Sequence, residues 1–362
     1  MTATIERDGY GGWKRIRGEA TGFFHVEWID GRWWFVTPDG NAFLSAGVSH
    51  VDYRGDYAPE FVDFVVGHLK DWGFNTIGWS QEVDAPFRDG VCTHSPGWGP
   101  EQYRQAQMPY MHIIRFTDIE WYVDAQFPDV FSEAFEQKCF RLAKEVCPEL
   151  ADDPYLIGYA YSDAPNFALW RQTEGPERFT EIVRRYYEVI EKAIRRYDTH
   201  HMLLGDRYKG DRSLQTDSGL QSGVPEDVLD AMRGSIDVLC TEYYRAGDAF
   251  EADLAHWHER TGKPIFQADF AFHAPTDVLK VNPLSPSYVP DQAARGEAYV
   301  QSCRRFYSNP LVIGAHWCAF GRSVGRKSGL LDGHDMPFED CVSRMRDFNK
   351  NEMYPLAAEA GM

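Results

Sequence analysis

Near-continuous apolar runs recur eight times along this chain, each followed by a loop or by a stretch with helical periodicity. The runs are Ala42–Val48, Asn75–Trp79, Tyr110–Phe116, Tyr155–Tyr161, Met202–Gly205, Ile236–Thr241, Pro264–Ala268 and Leu311–Trp317. Runs of this kind suit strands buried on both faces, as in a parallel sheet. Helical periodicity covers Pro59–Trp72, Phe131–Val146, Glu177–Tyr197, a segment opening near Pro225, Ala249–Arg260, Pro290–Tyr307 and Phe338–Asn349. In Glu177–Tyr197 the apolar positions Phe179, Ile182, Val183, Tyr186, Val189, Ile190 and Ile194 keep the 3.6-residue period. Eight strand–helix units in strict alternation predict a closed (β/α)8 TIM barrel of the α/β class rather than an open sheet. No Gly-rich phosphate loop follows the first strand, which argues against a dinucleotide-binding fold. Ahead of the barrel, Phe23–Trp28 and Arg32–Thr37 read as a β-hairpin turning at Asp30-Gly31. The expectation is one domain over residues 1–362, with residues 1–40 a short N-terminal hairpin packing on the barrel.

Composition narrows the partners. The chain is 43% hydrophobic and 15% aromatic, which supplies a large core and excludes disorder. Eleven Trp and nineteen Tyr exceed what a core requires, and such rings stack on the apolar faces of sugars. A net charge of −18 repels phosphate backbones, so no nucleic-acid partner is expected. The seven Cys, among them Cys92, Cys240 and Cys318, form no CxxC pair and read as reduced thiols. The first residues carry no apolar leader and no later stretch approaches a membrane span, so a cytoplasmic protein without a membrane partner is expected.

In a barrel of this type, chemistry sits just beyond the C-terminal ends of the strands. Those positions hold His50 and Asp52, Trp79 and Glu82, Thr117 and Asp118, Asp163, Asp206 and Arg207, Glu242 with Tyr243 and Tyr244, Asp269 with His273, and Trp317. Acidic groups, rings and an Arg on one rim are what cleavage of a glycosidic bond needs. One carboxyl protonates the leaving oxygen, a second attacks or activates water, and rings hold the sugar. Each residue also has a plainer reading. An Asp after a strand can cap the next helix, Asp206-Arg207 can be a structural ion pair, and His50, His273 and Trp317 can be core.

The segment GRWWFVTPDGNAFLSAGVSHV (31–51) resembles the start of the barrel in agarase-like glycoside hydrolases of the large retaining (β/α)8 clan. LLGDRY, KPIFQADFAFHAP and the C-terminal stretch IGAHWCAFGR, SGLLD and PFEDCVSRM are similar to that family in position and character. The resemblance spans nearly the whole chain. It implies hydrolysis of galactose-type oligosaccharides without a cofactor or metal, by carboxylates after strands four and seven. The family's Asn-Glu-Pro after strand four is matched here by Asp163, Ala164 and Pro165, and its nucleophilic Glu after strand seven by Asp269. Three readings of Ala164 stay open: Asp163 is the acid, a Glu has been replaced, or hydrolysis has been lost. The first is favoured, with Glu242 able to substitute for either member. Two shorter carboxyls widen the gap between them, which suits an inverting mechanism.

Two other classes compete. One is a metal-dependent barrel hydrolase or isomerase built on His50, Asp52, Asp206 and His273. The other is a sugar-binding barrel that has lost its acid, a reading that Ala164 motivates directly.

Overall fold

The computed structural model describes residues 5–88, 91–117, 127–163, 165, 167–209, 224–243, 250–323 and 327–361. The eight parallel strands are Ser45–Ser49, Thr76–Ile77, Tyr110–Ile113, Leu156–Asp163, Met202–Lys209, Leu239–Glu242, Ile265–Phe270 and Val312–Cys318. They close into a barrel in sequence order, strand eight pairing with strand one and strand three with strand four. The TIM barrel expected from the alternation is therefore the fold. Among the described residues no helix is long and apolar enough to cross a membrane.

Three differences from the sequence expectation have physical causes. The apolar run Ala42–Val48 is shared between two sheets: Asn41–Phe43 pairs antiparallel with the segment before it, and Ser45–Ser49 enters the barrel. The hairpin is thereby enlarged to a four-stranded antiparallel sheet, ordered Trp13–Arg17, Asn41–Phe43, Arg32–Val36, His25–Ile29. The third helix, Glu133–Leu150, begins at a Ser132 cap and runs through Pro148. Pro148 lies in the last turn and forfeits the backbone bond to the carbonyl four residues earlier, so only the final helical residues follow it.

The N-terminal sheet positions the site by closing the other end of the barrel. Phe24, Phe35 and Phe43 pack with the lumen residues Ile157, Leu204, Val238, Phe266 and Ile313 in one buried cluster. Phe35 and Phe266 meet edge to face at 6.3 Å. With that mouth plugged by rings, only the C-terminal mouth can admit a ligand.

Arg32 fastens the plug. It is wholly buried, and its guanidinium donates to the carbonyls of Tyr307 (2.8 Å), Ala357 (2.9 Å) and Val312 (2.7 Å). Trp34 lies over it, its ring centroid 4.7 Å from Cζ. Burial brings its pKa down to about 10, so it stays charged at neutral pH. Arg32→Ala strands three buried carbonyls and is expected to lower the unfolding free energy by about 4 kcal/mol, read from urea denaturation.

Candidate active site

Along a regular strand, side chains alternate between lumen and helix layer. Strand six obeys the rule: Cys240 and Glu242 face the lumen, while Tyr243 beyond it turns outward and donates to Asp253 at 3.1 Å. Strands four, five and seven break it. On strand four, the three steps from Ala160 to Asp163 match two steps, Gly205 to Arg207, on strand five. On strand seven, the three steps from Gln267 to Phe270 match two, Ala315 to Trp317, on strand eight. Each slip is a bulge that re-aims the residue beside it. Asp163 and Asp269 are the residues so turned inward. Gly205, at φ +68°, supplies a similar irregularity in strand five, because glycine enters that region without strain.

Arg207 is the centre on which they converge. Its Nη2 lies 2.6 Å from Asp269 Oδ2 and 3.1 Å from Glu242 Oε1, and its Nη1 lies 3.7 Å from Asp163 Oδ1. All four side chains are buried. Burial, and then the Asp163 carboxylate beside it, push Glu242 well above the usual carboxylate range against the opposing pull of Arg207. A side-chain hydrogen bond to Asp163 adds to that upward push, so the environment favours the protonated form of Glu242 and couples its titration to that of Asp163.

Trp79 forms the floor. Both Arg207 and Arg115 place Cζ 4.7 Å from its ring centroid, so guanidinium groups rather than open solvent cover the indole. The indole N–H donates to Gln81 Oε1 (2.9 Å), which also accepts from Arg115 Nε (3.1 Å). His50 Nδ1 lies 2.7 Å from the Gln81 carbonyl oxygen and 3.7 Å from Glu82. Arg115 and Gln81 were missed in the sequence, although both stand just past strand ends. A charge-by-charge reading of every rim position would have found Arg115.

Other expected site residues lie elsewhere. Asp206 turns to the helix layer, where it accepts from Ser162, Tyr186 (2.9 Å), Tyr187 (2.7 Å) and Tyr208 (3.3 Å). It is a structural anchor, not a substrate contact. Trp317 is also core: the indole is wholly buried against Phe270 and Tyr299 and donates to the Ser328 carbonyl at 3.0 Å. Tyr243, turned outward as described, is core as well. His273 lies in the loop after strand seven, its backbone bonded to Ser287 and Val289, and its charged neighbours are Lys327 and Arg295. Asp118, Ala164 and Tyr244 lie outside the described residues.

The metal set His50, Asp52, Asp206 and His273 does not assemble, because Asp206 is enclosed by hydroxyls and Asp52 accepts from Tyr57 at 2.8 Å. A different trio, His50, Asp269 and Cys318, brings ligand atoms within 4.8 Å of one another. Arg207, 2.6 Å from Asp269, opposes a cation there. Below Arg207 a cavity of about 20 Å³ is lined by Trp79, His112, Cys240 and His316, among others, enough for one water. Burial holds His112 down to about 4 and pushes His316 well below its ordinary value.

No family model and no curated protein matches this chain. Solved structures do. An agarase, AgWH50C, is 16% identical with a TM-score of 0.75 over 98% of this chain and 67% of its own. An exo-beta-agarase is 16% identical with a TM-score of 0.75, over 98% and 68%. A beta-glucuronidase from an uncultured Clostridium sp. is 16% identical with a TM-score of 0.59, over 90% and 53%. The chain thus spans about two thirds of the agarases and about half of the glucuronidase, and at this identity the likeness is one of fold.

Two stability predictions follow from the geometry. Asp206→Ala removes the acceptor of four hydroxyls and is expected to cost about 3 kcal/mol or more in urea denaturation. His112 is neutral when folded but protonates below about 6.5 when unfolded, so stability is lost as pH falls from 6.5 towards 4. A profile of Tm against pH should show this fall, and His112→Gln should lessen it, leaving the share that His316 and His273 contribute in the same way.

Proposed function

We propose that the protein is a glycoside hydrolase acting on galactose-type oligosaccharides, with its chemistry carried by Asp163, Glu242 and Asp269 around Arg207. The observation that carries the reading is the gathering of three buried carboxyls on a single guanidinium at the C-terminal mouth of the barrel, one of them, Glu242, pushed well above the usual carboxylate range by burial and by Asp163. An environment that pushes neighbouring carboxyls into different protonation states supplies an acid and a base together. Two of the solved structures that share this barrel bear the name agarase, which supports a galactose-containing substrate.

In the proposed reaction the Asp163–Glu242 pair gives its proton to the glycosidic oxygen as the bond to the anomeric carbon breaks. Asp269 takes a proton from the water that attacks that carbon from the opposite face. Arg207 keeps Asp269 a carboxylate while the acid pair stays protonated beside it. The sequence expectation made Asp163 the acid with Glu242 able to substitute for either member; in the proposed reaction the two hold the acid role together. Inversion is proposed because the shorter Asp269 stands where the resembled family has Glu. Arg207 Nη2 holds Asp269 Oδ2 and Glu242 Oε1 closer together than an inverting pair requires, so the substrate and the water must part them on binding.

Activity against a panel of galactan oligosaccharides and aryl galactosides tests the reading. Asp269→Ala and Glu242→Gln are each expected to lower kcat/KM by about 10³ or more. Glu242→Gln should at the same time raise Tm at neutral pH, since it replaces a carboxyl whose ionisation the fold suppresses. NMR of the first product should show inverted configuration; retention would overturn the role given to Asp269. Calorimetric binding of the same sugars without turnover would instead favour a sugar-binding barrel.

A further inference from the structure

Arg295 lies in the first turn of the helix Gln292–Tyr307. Its side chain is wholly buried. The Nε, Nη1 and Nη2 atoms meet no oxygen acceptor, their one polar neighbour being the Cys341 sulfur, and among the described residues no carboxylate pairs with the guanidinium. The ring of Phe338 sits 5.1 Å from Cζ. The Cys341 thiol lies against the guanidinium, but burial pushes it above its ordinary range, so it brings no negative charge.

Gln292 stands one turn earlier on the same helix face. Both atoms of its amide group are buried and unmatched as well. From the strand-seven loop the titratable His273 also feels Arg295, and burial, Lys327 and Arg295 bring its pKa down to about 4. Among the described residues the locality is therefore rich in donors and cationic, and the carboxylate of the neighbouring Asp291 is turned to cap the helix, accepting from the Ala294 N–H.

A guanidinium taken out of water without a counter-charge costs several kcal/mol. Buried polar groups in native structures find a partner in protein, water or an ion. Water would answer the hydrogen bonds here but not the charge, whereas an anion answers both. We propose that Arg295, with Gln292, holds a small inorganic anion, chloride being the simplest. The full burial of the side chain favours a small ion over a sugar acid or a sulfated chain. The ion would tie the start of this helix to Phe338 and Cys341, at the start of the last barrel helix Glu339–Asp347. The neighbouring loop that carries His273 begins just past Asp269. The inference does not rest on the hydrolase reading.

Two measurements without turnover test it. Crystals of the full chain grown in bromide should give an anomalous peak in hydrogen-bonding range of the Arg295 guanidinium. In solution, chloride in place of gluconate at constant ionic strength should raise Tm by about 2–4 °C, and Arg295→Met should abolish that dependence. If Arg295→Met does not fold, Gln292→Leu takes its place and should weaken the dependence. A bromide crystal with no anomalous peak at Arg295, or a chloride effect that persists undiminished in the variant, overturns the proposal.

Discussion

The ion cluster on Arg207 is the interaction on which the rest of the mouth depends. Three carboxyls buried within reach of one another repel, and without a cation the fold could not hold them there. Arg207 meets that need from strand five, lying against the face of Trp79, which Arg115 also covers. Its direction is fixed from behind. Asp206, the preceding residue, is held in the helix layer by three tyrosines and Ser162, so Arg207 turns to the lumen. One structural carboxylate thus orients the residue that gathers the other three carboxyls.

The barrel's two ends divide the labour. At the N-terminal end, three Phe rings from the added sheet fill the lumen, and Arg32 fixes that sheet to backbone carbonyls of the barrel and the last helix. At the C-terminal end, bulges in strands four and seven turn Asp163 and Asp269 inward. A bulge leaves backbone groups without their usual ladder partners, and a strand tolerates this best near its end. That is also where a barrel can present side chains to a ligand.

Much of the fold was legible because alternation of buried strands and amphipathic helices reports burial directly. The same holds for Glu242, which sits where simple two-residue periodicity from Cys240 puts it. The rim rule also marked Asp163, Arg207 and Asp269 as candidates. It failed for Asp206, Tyr243 and Trp317, since proximity to a strand end does not say which face a side chain takes. It passed over Arg115 and Gln81, whose roles come from what they touch across the mouth.

The sequence by itself determined the barrel, the number and order of its strands, and the end at which chemistry belongs, because these follow from local periodicity and burial. Only the tertiary structure decided which rim residues meet. Bulges are set by pairing with a neighbouring strand, so no local pattern shows them. The upward push on Glu242 beside Asp163, like the charge left on Arg295, exists only once burial has removed the water that would otherwise answer it.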